Sequence, residues 1–254
     1  MDLQGISSIV TGGSSGLGAA VARLLAHQGS PVSVLDRKAP PSTRDEHMER
    51  LDYYQCDITD EASVSAALDT AAARHGPPRI VVNCAGLGDS ARVLGRDGPA
   101  SLQSFRRVLD VNVTGTFNVI RLAMAQLAQA HELPGFGRGV IVNTASIAAF
   151  DGQTGQAAYA ASKAAIVGMT LPLAREFARI AVRVMTVCPG VFLTPMVAGH
   201  VSDTVLDGLL ASAAYPRRGG DPAEFADLVL SIVRNPMLNG ESIRIDGGLR
   251  MPTL

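Results

Sequence analysis

Ser7-Ser8-Ile9-Val10-Thr11-Gly12-Gly13-Ser14-Ser15-Gly16-Leu17-Gly18 decides the fold. Ser7 to Val10 is a short, mostly apolar run of strand length, and a helical pattern follows at about residues 16 to 28, so the glycines stand where a strand turns into a helix. Further strands are expected at Val32 to Leu35, Tyr53 to Cys56, Ile80 to Asn83, Val140 to Asn143, Val182 to Val187 and Ser242 to Ile245. Their apolar character is continuous rather than alternating, as in strands covered on both faces. Helical patterns lie between them at about 61 to 74, 101 to 130, 156 to 178 and 222 to 233. The alternation implies an α/β fold of the Rossmann type: a doubly wound, mainly parallel seven-stranded sheet with helices on both faces.

Several boundaries have local causes. Asp60 is placed to cap the helix that begins after it, and His75-Gly76-Pro77-Pro78 to stop that helix. Asp221-Pro222 is another start signal, with Pro at the first helical position. Ala39 to Glu49, Asp89 to Ala100 and Leu133 to Arg138 read as surface excursions. One domain over residues 1 to 254 is expected, with an irregular excursion at about 191 to 218. Its apolar residues suit one or two short helices over the carboxyl ends of the strands, where they would serve as a substrate lid.

Composition narrows the functional classes. The chain has 254 residues, 47% of them hydrophobic, enough to bury a substantial core. Its formal charge of -1 balances 22 basic against 23 acidic residues. The basic residues form no stripe that would follow a phosphate backbone, so nucleic acid is not an expected partner. Apolar runs are broken by Gly, Ser and charge before reaching the roughly 20 residues that span a bilayer, and no membrane insertion is expected. Met1-Asp2-Leu3-Gln4-Gly5-Ile6 leads almost directly into a strand, which reads as an untargeted, cytoplasmic protein. Cys56, Cys84 and Cys188 match neither a disulfide framework nor a zinc pattern and read as buried thiols, and no metal is expected.

The glycine turn has a chemical use. Gly12, Gly16 and Gly18 permit a pyrophosphate to approach backbone N–H groups at a helix terminus, although their spacing is wider than G-x-G-x-x-G. Thr11 and Ser14 are expected to add hydroxyl contacts, with Ser15 and Leu17 completing the turn. Asp36 ends the second strand, where its carboxylate would accept from both hydroxyls of an adenosine ribose and repel a 2′-phosphate. The expected cofactor is therefore NAD, with Arg37 the complication, since it would suit a phosphate if Asp36 turned away. Asp57 and Ile58 are expected at the adenine. Asn83 is expected to tie strands together, with Ala85 and Gly86 leaving room for the cofactor. Pro189, Gly190 and Val191 after the sixth strand would form the floor, and Thr194 would meet the carboxamide.

Tyr159 and Lys163 share one face of a helix at i, i+4. A free phenol has a pKa near 10, too high for a base near neutrality, and Lys163 is expected to lower it and to hold ribose hydroxyls. Tyr159 is the expected proton-transfer residue. Ser146 follows a strand at the edge where such sheets bind ligands, and its hydroxyl would bond the reacting oxygen. Asn112, inside a long helical stretch, would distort the helix and hold a water linked to Lys163, or serve only the scaffold. Ala148, Gln153, Phe192, Met196 and Leu206 join Ser146 and Tyr159 as expected substrate contacts.

Thr11 to Gly18, Asn83 to Gly86, Asn112, Ser146, Tyr159 with Lys163, and Pro189-Gly190 stand in the order found in classical short-chain dehydrogenase/reductases, which the chain resembles over essentially its whole length. Phe105 to Asn112, Gly115 to Leu122, Asn143 to Ser146, Gly155 to Tyr159, Gly168 to Pro172 and Asn239 to Glu241 further resemble blocks of the type 2 3-hydroxyacyl-CoA dehydrogenases. The resemblance implies oxidation of (S)-3-hydroxyacyl-CoA to 3-ketoacyl-CoA with NAD. Alternatives are another NAD-dependent oxidation of a hydrophobic secondary alcohol, such as a 17β-hydroxysteroid, or reduction of a 3-oxoacyl thioester. It also implies a homotetramer using the long crossover helices and the carboxyl-terminal segment. The overall character suggests a bacterial relative.

Overall fold

Strand β1 is Ser8–Thr11, one residue later than the apolar run suggests, and it lies fully buried in the middle of the sheet. The computed structural model describes residues 2–38, 51–96, 98–198 and 203–252; the Ala39 to Glu49 excursion lies outside them. After β1 come α1 (Gly16–His27), β2 (Val32–Asp36), β3 (Leu51–Gln55), α2 (Glu61–His75) and β4 (Ile80–Asn83). A small antiparallel hairpin of β5 (Leu94–Gly95) and β6 (Gly98–Pro99) fills the Asp89 to Ala100 excursion. Then follow α3 (Leu102–Leu109), α4 (Thr116–Leu127), β7 (Gly139–Thr144), α5 (Ala157–Phe177) and β8 (Val182–Pro189). The chain continues through α6 (Pro195–Ala198), α7 (Asp203–Ala211), α8 (Pro222–Arg234) and β9 (Ser242–Ile245).

The seven-stranded sheet has the order β3-β2-β1-β4-β7-β8-β9, all parallel. Successive strand residues point to opposite faces, so the continuous apolar runs serve two cores. Val10, Val34, Val82 and Val142 pack with Val21, Leu25, Phe225 and Val229 of α1 and α8. Ile9, Leu35, Val81 and Ile141 pack with Leu68 of α2, Val119 of α4, and Leu173 and Phe177 of α5. Each such aliphatic side chain contributes about 1.5–3 kcal/mol on full burial. The chain order reverses between β1 and β4, which opens a crevice at their carboxyl ends.

Local signals act as expected at the helix starts. Asp60 accepts from Ala62 N at 3.1 Å, and Asp221 with Glu224 forms a capping box. Strand β3 begins earlier than expected because Leu51 is buried and pairs with Val32, while polar Asp52, which obscures the pattern, is engaged by Arg74 and His75. The long helical pattern at 101 to 130 is broken into α3, a π-helical turn at Asp110–Gly115, and α4. The 191 to 218 excursion holds α6 and α7, the part between them at residues 199–202 being outside the described set.

One stretch, Ala157–Ile180, has enough length and mean hydropathy to cross a bilayer, which the count of uninterrupted apolar runs did not register. Within it, Ser162, Lys163, Ile166, Thr170, Leu173 and Ala174 are buried. They form the stripe by which a helix packs on a sheet.

Candidate active site

The first helix begins without a cap. Ser15 is extended (φ -157°) and its side chain caps no N–H of α1, in contrast to Asp60 and Asp221 at α2 and α8. Those first-turn N–H groups open onto a cavity of about 510 Å³, which Ser15, Gly16, Leu17 and Gly18 line. The turn tolerates no side chain: a Cβ on Gly12 (φ +68°) would stand 2.7 Å from the Ala85 backbone, and one on Gly18 2.4 Å from Gly12 O. A helix terminus with unfilled donors beside a glycine cradle fits a pyrophosphate.

At one end of the cavity lies Asp36, whose Oδ2 accepts from Ser14 N at 3.0 Å and Oδ1 from Lys38 N at 2.9 Å. Both bonds hold the carboxylate in place and leave each oxygen a second lone pair for a ribose hydroxyl. Arg37 points instead to Asp57, with 3.8 Å between NH1 and Oδ2. Asp57 is also a loop cap, accepting from Thr59 N and Oγ1, and these bonds hold its carboxyl below the usual range. Asp57, Ile58, Ala85 and Gly86 all line the cavity.

At the other end stand Tyr159, Lys163, Thr144 and Pro189. Lys163 is 6% exposed, donates to Thr144 O at 2.9 Å, and sits 5.7 Å from the centroid of the Tyr159 ring. Burial brings its pKa down to about 8. Tyr159 is half-buried, and its phenol is pushed above 10 by burial, opposed by the Ser146 hydroxyl. Ser146 is a neighbour that favours the phenolate, while the Lys163 ammonium rests on a strand carbonyl and over the ring face.

Asn112 sits in the π-helical turn, 1% exposed. Its Nδ2 donates to Leu87 O at 2.9 Å and Ser162 Oγ at 3.0 Å, and its Oδ1 accepts from Leu87 N at 2.9 Å. Ser162 in turn donates to Tyr159 O at 2.7 Å, so the amide joins the loop after β4 to the helix carrying Tyr159. Sequence reasoning missed Ser162, although its place directly before Lys163 is a usable signal. Thr144, Leu87 and Lys38 are likewise unpredicted cavity residues.

Other expected contacts fall elsewhere. Thr11 is buried with its Oγ1 accepting from Ala85 N at 3.1 Å, so its hydroxyl serves the scaffold. Ser14 contributes its backbone N–H to Asp36, and its own hydroxyl is buried away from the cavity lining. Asn83 ties β4 to β7 through Asn143 Oδ1 at 2.9 Å, as expected, and does not line the cavity. Gly190 donates to Ile245 O, and Val191 lines a separate cavity of about 120 Å³, leaving Pro189 and Thr194 as the floor. Phe192 packs in the core edge-on to Phe225 at 6.2 Å and lines the smaller cavity, not the main one. Ala148 is buried beneath the Ser146 turn, Gln153 Nε2 donates to Pro252 O at 3.1 Å, and half-buried Leu206 lines neither cavity. Met196, 43% exposed, does line the main cavity.

Comparison with known proteins agrees with this geometry. The short chain dehydrogenase family model matches residues 7–204. The chain is 46% identical to the human protein named 3-hydroxyacyl-CoA dehydrogenase type-2, over 98% of this chain and 97% of that one. It is 49% identical to the Drosophila melanogaster protein of the same name, over 96% and 97%. The crystal structure of 3-hydroxyacyl-CoA dehydrogenase type-2 from Mycobacterium avium superposes with a TM-score of 0.91 at 37% identity, covering 98% of both chains.

Proposed function

The chain belongs to the short-chain dehydrogenase family, and from that premise we propose that it oxidises (S)-3-hydroxyacyl-CoA to 3-ketoacyl-CoA with NAD. The observation that carries this reading is near-half identity, over almost all of both chains, to relatives so named. The cavity gives it physical form, with Asp36 at one end and Tyr159, Lys163 and Pro189 at the other.

NAD supplies the hydride acceptor when bound. Asp36 would take its adenosine ribose hydroxyls, and the first turn of α1 would take its pyrophosphate. Lys163 would hold the other ribose. Ser146 donates to the substrate oxygen and steadies it as charge develops. Tyr159 removes the hydroxyl proton. Asn112 keeps the Tyr159 helix in register with the loop after β4, and a water on its remaining acceptor sites would link Lys163 to solvent. Met196, on the wall of the cavity at α6, supports reading the described part of the 191 to 218 excursion as a lid. Exposed Phe105, Phe117 and Leu171 on the crossover helices support a homotetramer.

A panel of 3-hydroxyacyl-CoA thioesters, hydroxysteroids and small secondary alcohols, scored by NADH formation, tests the reading. The thioesters are expected to give the highest kcat/KM, and no turnover of any thioester would refute it. Tyr159→Phe is expected to bind NAD normally and to lose at least about a hundredfold in kcat; near-normal turnover would remove the proton-transfer assignment.

A further inference from the structure

The edge strand β9 carries a cation that touches two sides of the site. Arg244 is one-fifth exposed, and its guanidinium makes a fork to Asp151, with NH2 to Oδ2 at 2.6 Å and NH1 to Oδ1 at 3.3 Å. Its Nε donates to Asp246 Oδ2 at 2.7 Å, NH2 also donates to Leu249 O at 2.8 Å, and Cζ lies 5.5 Å from the Phe150 ring centroid. Asp151 and Asp246 are themselves only 18% and 8% exposed, and Arg250 NH1 also reaches Asp246 Oδ2 at 3.4 Å, so Arg244 is the cation that joins the two carboxylates.

Each carboxylate leads to a different part of the site. Asp151 closes the turn that Ser146 opens: Ala149 N donates to Ser146 O at 3.1 Å, Asp151 N to Ile147 O at 2.9 Å, and Ala148 N to Ser146 Oγ at 3.1 Å. A displacement of Asp151 is therefore transmitted through bonded backbone to the Ser146 hydroxyl. Asp246 lies against Gly190, where an added Cβ would come within 2.8 Å of Asp246 Cβ, and Gly190 N is bonded to Ile245 O at 2.9 Å. That contact fixes the exit of β8 beside Pro189, a wall of the cavity. A fork fixes direction as well as distance, which a point-charge ammonium does not.

We propose that Arg244 is a positioning residue for the dehydrogenase reaction, holding the Ser146 turn and the exit of β8 at Pro189 at a fixed separation so that the substrate oxygen and the hydride acceptor meet in register. The inference rests on the proposed dehydrogenase function.

The test compares Arg244→Met, Arg244→Lys and Asp151→Asn with the unaltered enzyme, measuring kcat, KM, NAD affinity by fluorescence titration, and the pH profile of oxidation. Misplacement of reacting groups by a fraction of an ångström costs about tenfold in rate. Arg244→Met is expected to lose about tenfold or more in kcat. NAD affinity should stay within about threefold, because the Asp36 end of the cavity is untouched. The profile should move to higher pH, because Ser146 is what opposes the upward shift of the phenol. Cys84 and Cys188 are the ionisable groups that act on Lys163; Arg244 in turn acts on Cys188, so Arg244→Met alters that neighbour, whereas Arg244→Lys keeps the charge and Asp151→Asn leaves Arg244 in place. Arg244→Lys should recover only part of the loss, and Asp151→Asn should move kcat and the profile in the same direction. A role confined to stapling the carboxyl-terminal segment would lower thermal stability and leave the profile in place. Unchanged kcat and profile in Asp151→Asn overturn the inference even if Arg244→Met does not fold. Absence of turnover in the unaltered enzyme would instead remove the dehydrogenase reading itself.

Discussion

Replacing Lys163 by Met should stabilise the protein at neutral pH while abolishing turnover. The ammonium is 6% exposed, and its pKa falls from 10.5 to about 8 because burial disfavours the charged form. At 1.36 kcal/mol per tenfold change, carrying the proton costs about 3 kcal/mol more in the folded protein than in the unfolded chain. Met of similar length avoids that cost and gives up one bond to the Thr144 carbonyl, about 1 kcal/mol. The net gain expected at pH 7 is about 2 kcal/mol. The sign of the pH dependence follows from proton counts. Below about 8 both states of the unaltered protein hold the proton, and between about 8 and 10.5 only the unfolded chain does, so its stability rises with pH in that window. The advantage of Lys163→Met should shrink through the same window and vanish near its upper end. Urea denaturation of ligand-free protein at pH 7 and pH 10 measures both quantities. A variant less stable than the unaltered protein at pH 7, or a difference independent of pH, would refute the account.

Asp36→Ala should reduce the preference for NAD over NADP, as the ratio of kcat/KM values, by at least about tenfold, because a like-charge contact costs several kcal/mol and Arg37 and Lys38 remain beside the site. An unchanged ratio would show that discrimination lies elsewhere. Arg183→Met should destabilise the fold by about 3 kcal/mol with kcat intact. The buried guanidinium donates to Ile232 O, Val233 O and Leu238 O at 2.7 to 3.0 Å, closing the carboxyl end of α8 far from the cavity. A loss below about 1 kcal/mol in urea titration would contradict that role.

Much of the fold is written in residue type alone. Val32 to Leu35 and Ile80 to Asn83 are apolar at every position but a few because both faces are covered, and that pattern needs no partner to be recognised. Asp52 hides the start of β3 because its fitness for a strand depends on Arg74 and His75, which are distant in sequence. The hairpin at Leu94–Gly95 and Gly98–Pro99 is too short and exposed to leave a periodic trace. Phe192 shows the limit within the site: an apolar residue after a strand reads equally as pocket wall or core, and the fold packs it on Phe225 while also setting it on the wall of the smaller cavity.

The polar residues of the site were harder to assign for a related reason. Thr11, Asn83 and Asn112 have the donors and acceptors that a ligand contact needs, yet their protein partners take them first: Ala85 N, Asn143, and the Leu87 backbone with Ser162. Sequence supplies the inventory of such groups, whereas the fold determines which are consumed. Consumption has a catalytic consequence. Because Asp36 is held by Ser14 N and Lys38 N, and the Tyr159 helix by Asn112 through Ser162, little ordering of these groups remains to be done when ligands arrive. The same logic assigns opposite stability effects within one cavity. Removing a bridging group such as Asn112 strands buried partners, whereas removing Lys163 relieves a charge that the fold would otherwise exclude. A lysine retained at such a cost is one whose proton and position the reaction uses.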